Sequence, residues 1–148
     1  MSQDLLHIIL ADDDADDRDF FSDAFEELKI KTKVSLFNDG QQLMNFLLTP
    51  NSFLPHILFL DLNMPFMSGI ECLHEIKAID RFKDIAIAIY STSASDQDIE
   101  ETFINGANIY IKKPSEFETL KKILGNVVTV NWQYQTSGLN KDNFLLKL

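Results

Sequence analysis

Five short apolar runs recur along this chain, and the stretches between them repeat their apolar residues at helical spacing. The runs are His7–Ala11, Lys33–Phe37, Ile57–Leu60, Ile85–Tyr90 and Ile109–Lys112. The first, third and fourth are almost continuously apolar, as expected of parallel strands covered on both faces. The second is weaker and is expected to place Val34 and Leu36 on one face. Between the runs, Phe20, Phe21, Ala24, Phe25 and Leu28 recur as one face of a helix. Gly40–Leu48 predicts a second helix, with Leu43, Phe46 and Leu47 inward. Gly69–Ile79 predicts a third, amphipathic through Ile70, Leu73, Ile76 and Lys77. Asp96–Asn105 predicts a shorter fourth, with Gly106 as C-cap, and Glu116–Gly125 opens a fifth.

Strand–helix alternation through five units predicts a doubly wound α/β fold: a five-stranded parallel sheet with helices on both faces. Strand order 2-1-3-4-5 suits five strands and opens a crevice beyond the C-terminal ends of strands 1 and 3. At 148 residues a single domain is expected. The net charge of −10 disfavours binding to nucleic acid, which requires a basic surface. No apolar run approaches the ~20 residues of a membrane span, and MSQDLLH lacks the basic flank of a signal peptide. One cysteine, Cys72, excludes an internal disulfide and fits a reducing compartment, so a cytoplasmic location is expected.

The predicted strand ends carry the chemistry. Strand 1 ends in Asp12-Asp13-Asp14, opening a segment with six carboxylates in eight positions, Asp12 to Asp19. Strand 3 ends in Asp61, strand 4 in Ser91-Thr92, and strand 5 in Lys112-Lys113 before Pro114. In the expected strand order these groups converge. Clustered carboxylates raise one another's pKa, and a site that keeps them ionised usually holds a cation. Mg²⁺ suits a shallow set of carboxylate and carbonyl oxygens completed by water, commonly beside a phosphate. A hydroxyl and an ammonium opposite would suit phosphoryl oxygens, and an Asp carboxylate can itself be the nucleophile. The pattern reads as Mg²⁺-assisted phosphoryl transfer to an aspartate.

The segments IILADDD, HILFLDLNMPFMSGIECL, IAIAIYSTSAS and GANIYIKKP resemble, in order and separation, the four signature segments of response regulator receiver domains. These are the phosphoacceptor modules of two-component systems, flavodoxin-like in fold, and the chemotaxis-regulator-like members consist of the receiver alone. The resemblance implies a receiver over residues 5–125 and a C-terminal extension over 126–148. It implies Asp61 as phosphoacceptor. Asp12, Asp13, Asp61 and the main-chain carbonyl of Asn63 would hold Mg²⁺, Asp13 directly and Asp12 through water. It further implies Ser91 as switch hydroxyl, Lys113 as the phosphoryl-contacting lysine and Tyr110 as the aromatic residue coupled to the switch. Thr92 is bulkier than the family's usual Ala or Gly and is expected to restrict access. Asn63 and Ser93 lie where the family tunes the lifetime of the acyl phosphate. The family often has a cis peptide at the bond corresponding to Lys113–Pro114. The implied partners are a histidine kinase or phosphotransfer protein, and a downstream protein meeting the surface of the fourth helix, fifth strand and fifth helix.

Plainer roles account for the remaining residues. Asp14, Asp16, Asp17 and Asp19 are expected to cap the first helix, complement its dipole and solvate its outer face. Lys112 reads as a solvated strand-end charge. His7, His56 and His74 read as structural or surface residues, and Cys72 as core. An aspartate-nucleophile phosphohydrolase usually needs a second Asp two residues after the nucleophile; here that position is Asn63, which cannot exchange a proton. A phosphorylation-independent, receiver-like binding module would typically lack an acidic, hydroxyl or lysine position, and this chain retains all of them. The protein is therefore not expected to be a turnover enzyme. Two alternatives stay open for the tail: Val127, Val128, Val130 and Trp132 either extend the fifth helix or pack on the sheet edge. Phe144, Leu145, Leu146 and Leu148 form an apolar end that could fold back, join a dimer or bind a partner. The 23 residues from 126 onward are too few for a separate DNA-binding domain.

Overall fold

The computed structural model describes residues 5–137, with side chains through 129. Five strands, β1 (Leu6–Ala11), β2 (Thr32–Phe37), β3 (Ile57–Leu60), β4 (Ala86–Ser91) and β5 (Ile109–Lys112), alternate with five helices. The helices are α1 (Ala15–Leu28), α2 (Gly40–Leu48), α3 (Gly69–Ala78), α4 (Asp96–Ile104) and α5 (Phe117–Ser137), with a 3₁₀ turn at Asp80–Phe82. The sheet is parallel throughout, in the order β2-β1-β3-β4-β5. The flavodoxin-like arrangement expected from the alternation is the one observed. Among the described residues no helix is long and apolar enough to cross a membrane.

Residues alternate between the two faces of the sheet, which explains why the central strands are apolar at every position. Ile8, Leu10, Ile57, Phe59, Ala88, Tyr90 and Ile111 pack with Phe21, Phe25, Leu120 and Leu124 in the layer of α1 and α5. Ile9, Ala11, Leu58, Leu60, Ile87, Ile89 and Tyr110 pack with Leu43, Met44, Leu47, Leu73 and Ile76 in the opposite layer. Val127 and Val128 are buried in the first layer, on the continuation of α5. Val130 and Trp132 lie outside the described side chains, and residues 138–148 outside the described structure.

The facing assignments change in part. Leu36 shares the face of Val34, as expected, but is exposed because β2 is an edge strand; on the opposite face Phe37 meets Phe46, their ring centroids 5.3 Å apart. In α2, Met44 is buried and Phe46 only partly so. In α3, Cys72 lies in the core beside Leu73 and Ile76, as expected, and Lys77 points out. Among the described residues no peptide bond is cis, so Lys113–Pro114 is trans.

Local sequence sets the helix ends. Asp14 caps α1, its side chain accepting from the backbone N–H groups of Asp16 and Asp17, as expected. Ser68 and Glu71 form a capping box at α3. Gly106, at φ 95°, follows the C-cap of α4 in the left-handed region that glycine enters freely. Gly69 has a different purpose. A Cβ there would lie 2.2 Å from the Asp61 carbonyl oxygen and 2.7 Å from Leu62 Cα, so only glycine lets α3 start against the end of β3. Gly69→Ala is therefore expected to lower stability in urea denaturation by about 2–3 kcal/mol through overpacking against backbone.

Candidate functional site

The same alternation delivers the polar site. Continued one residue past the strands, the positions facing α1 and α5 become Asp12 after Leu10, Asp61 after Phe59 and Lys113 after Ile111. Asp12 and Asp61 are buried, at 0% and 5% exposure. One oxygen each from Asp12, Asp13 and Asp61 lie within 4.8 Å of one another, with Asp13 open to solvent. The Asp61 backbone N–H donates to the Ala11 carbonyl at 3.0 Å, and the Asp14 N–H donates to Asp12 Oδ1 at 3.0 Å.

The Lys113 ammonium closes this cluster. Its Nζ is 2.8 Å from Asp12 Oδ2, 2.8 Å from Asp17 Oδ2 and 3.4 Å from Asp61 Oδ2. It also lies 5.4 Å from the centroid of the Tyr90 ring. Burial works against the lysine charge, but the Asp12 and Asp17 carboxylates outweigh it and hold the ammonium above its ordinary range. Burial likewise raises Asp61 from 3.8 to about 6, with Lys113 opposing and the Asp12 charge adding to the rise. Asp12 is raised chiefly by burial, against Lys113 and the Asp14 N–H.

The switch positions lie on the other alternation. Ser91 continues Ile87 and Ile89, is fully buried, and accepts at Oγ from the Ser93 N–H at 3.2 Å. Its carbonyl accepts from the Lys113 N–H at 2.8 Å, tying the ends of β4 and β5 together. Tyr110 is fully buried and donates through its hydroxyl to the Ser93 carbonyl at 2.7 Å. Ser93 in turn donates to Asp98 Oδ2 at 2.6 Å, linking the loop to α4. Asn63 is exposed, its N–H 3.4 Å from Asp61 Oδ1; Thr92 and Lys112 are exposed too. In the same loop as Asn63, Phe66 is 87% exposed at φ 67°, in the left-handed region unusual for a bulky residue.

Asp17 was assigned to the solvated helix face and is instead a member of the cluster. The signal lies in its spacing: Asp17, Phe21, Ala24, Phe25 and Leu28 share one helical face, so the sheet-facing stripe of α1 begins with a carboxylate.

The donor set suits a divalent cation. All the oxygens are hard carboxylate ligands, one side is open to water, and the buried Asp12 and Asp61 share a single ammonium for compensation.

The profile of the response regulator receiver domain matches residues 8–125, and the chain belongs to that family. The probable methanogenesis regulatory protein FilR2 of Methanothrix harundinacea is 30% identical, over 85% of this chain and 83% of that one. The response regulator Rcp1 of Synechocystis is 27% identical, over 81% and 84%. The solved Mn²⁺-bound form of Rcp1 superposes with a TM-score of 0.76 at 26% identity, covering 91% of this chain and 99% of that one. The phosphorylated cyanobacterial phytochrome response regulator RcpA does so with 0.78 at 27%, covering 92% and 99%. The protein is a response regulator receiver, a signalling module of two-component systems.

Asp61→Asn keeps the shape of the acceptor and removes its buried charge. The folded protein holds the Asp61 proton more tightly than the unfolded chain does. The penalty for ionising it is therefore complete above about pH 6 and fades as pH falls toward 3.8. Without divalent cation at about pH 7.5, urea denaturation is expected to find Asp61→Asn more stable than wild type by about 1–3 kcal/mol. The gain should shrink steadily on acidification to about pH 4.

Proposed function

We propose that this receiver takes a phosphoryl group on Asp61 from a phosphohistidine donor in a Mg²⁺-dependent reaction, and signals by changing the surface it offers a protein partner. One observation carries the reading: a buried carboxylate at a strand end, with two further carboxylates within 4.8 Å and a lysine ammonium 3.4 Å away. The phosphorylated state of RcpA and the Mn²⁺-bound state of Rcp1, both structural neighbours, support it.

In the transfer an Asp61 oxygen bonds to phosphorus and the P–N bond to the donor imidazole breaks. The electron pair leaves on that nitrogen, which takes up a proton. Water later returns the carboxylate and inorganic phosphate. Asp12, Asp13, Asp61 and the Asn63 main-chain carbonyl would hold Mg²⁺, which when bound neutralises the carboxylates and draws charge from the phosphoryl oxygens. Lys113 offers a phosphoryl oxygen its N–H, and Ser91 supplies the hydroxyl. Tyr110, bonded into the Ser93 loop, follows that hydroxyl. The altered surface is that of α4, β5 and α5, reached through Ser93 and Asp98. Residues 5–125 form the receiver, and 126–148 an extension beyond it. The donor is a histidine kinase or phosphotransfer protein, met in the cytoplasm. The chemistry is the protein's own phosphorylation and dephosphorylation, without turnover of a metabolite.

Intact-mass spectrometry after incubation with acetyl phosphate tests this. A phosphoryl adduct is expected on wild type with Mg²⁺, stable in acid and labile in base, and absent without the ion or in Asp61→Asn. An adduct of equal yield in Asp61→Asn would place the acceptor elsewhere.

A further inference from the structure

Lys113 can donate three hydrogen bonds, and three carboxylates take up its surroundings. Two are the phosphoacceptor and its metal-binding neighbour. The third, Asp17, comes from the first turn of α1 and has no part in the reading above. Its Oδ2 accepts from Lys113 Nζ at 2.8 Å, whereas Asp61 accepts from the same nitrogen at 3.4 Å. The lysine thus sits nearer the helix than the acceptor it serves. Asp17 is 31% exposed, so the pair is partly desolvated, and the lysine is 8% exposed. Asp16, its neighbour in the same turn, is exposed and takes part only through its backbone N–H to the Asp14 cap.

We propose that Asp17 is a positioning residue: it holds Lys113 against the first turn of α1 in the unphosphorylated protein and competes with the phosphoryl group for that ammonium. The inference rests on Asp61 being the acceptor. A phosphoryl group there extends beyond the carboxylate oxygen and needs a lysine N–H directed at it. Reaching it draws the ammonium off its two shorter contacts, 2.8 Å each to Asp17 and Asp12, and of these Asp17 is the one that no metal would share. The carboxylate therefore sets how much of the lysine's charge is free for the incoming group, and acts as a brake built into α1.

Beryllofluoride, which mimics an aspartyl phosphoryl group, is the probe. Its affinity in the presence of Mg²⁺, followed by ¹⁹F NMR, is compared across wild type, Asp17→Asn, Asp17→Glu and Asp16→Asn. Removing one partly exposed, charge-assisted partner of the lysine should tighten binding by about fivefold in Asp17→Asn. Asp17→Glu should stay near wild type, and so should Asp16→Asn, which loses the same charge from the same helix turn. The decisive arm is the double-mutant cycle: in a Lys113→Gln background, Asp17→Asn should change the affinity by less than twofold, because the carboxylate acts only through the lysine. Unchanged or weaker binding in Asp17→Asn overturns the proposal, as does an equal tightening in Asp16→Asn or in the Lys113→Gln background. Wild type failing to bind beryllofluoride at all would overturn the acceptor reading and this inference with it. That failure is recognisable because no variant then has an affinity to compare.

Discussion

One ammonium group makes the acidic edge of this sheet possible. Asp12 and Asp61 are buried side by side at the ends of β1 and β3, where like charges repel and desolvation penalises both. Lys113, delivered by β5 from across the sheet, lies within 3.4 Å of both. Without it the site would hold uncompensated buried charge, of the kind that costs about 3–5 kcal/mol when a partner is removed. The compensation is incomplete: one ammonium serves three carboxylates, and burial still holds Asp12 and Asp61 above their ordinary range. A site that is tolerated yet unsatisfied is poised to gain from a cation or a phosphoryl group.

The sheet achieves this with the same alternation that builds its two cores. Residues facing α1 and α5 are apolar until the strand ends and then turn into carboxylates and the lysine. Residues facing α2, α3 and α4 end in Ser91, with Tyr110 fully buried behind it. The charged half and the hydroxyl half of the site therefore grow from opposite faces of one sheet. They are joined where the Lys113 N–H meets the Ser91 carbonyl. From Ser91 a chain of polar contacts leads through Ser93 to Asp98 on α4. The site is thus linked to the protein surface by short hydrogen bonds as well as by apolar packing.

Much of this was legible in the sequence because it depends on period and position. Continuously apolar runs flanked by helical stripes dictate a parallel sheet covered twice, and the residues closing each run identify the crevice. What escaped depends on neighbours that no local pattern reveals. Leu36 shares a face with Val34, but on an edge strand that face is left partly uncovered and Leu36 stays exposed. Met44 joined the core because the close approach at Gly40, where a Cβ would meet Met67 and Cys72, sets α2 tightly against α3. Asp17 was hidden among five other aspartates. Charge alone assigned it to solvent, while its register with Phe21 and Phe25 assigned it to the site.

The strict alternation at the strand ends has a consequence for how such a chain can evolve. Loops at the opposite edge of the sheet can gain or lose residues without touching the site. A single insertion or deletion inside β1, β3 or β5 is different in kind, because it turns every residue downstream of it in that strand to the other face. In β3 it would send Asp61 toward the α3 layer and away from Asp12 and Lys113, with Gly69 left pressing on the wrong carbonyl. Strand length is thus as tightly constrained as the acidic residues themselves, and the spacing within each signature segment carries information that its letters do not.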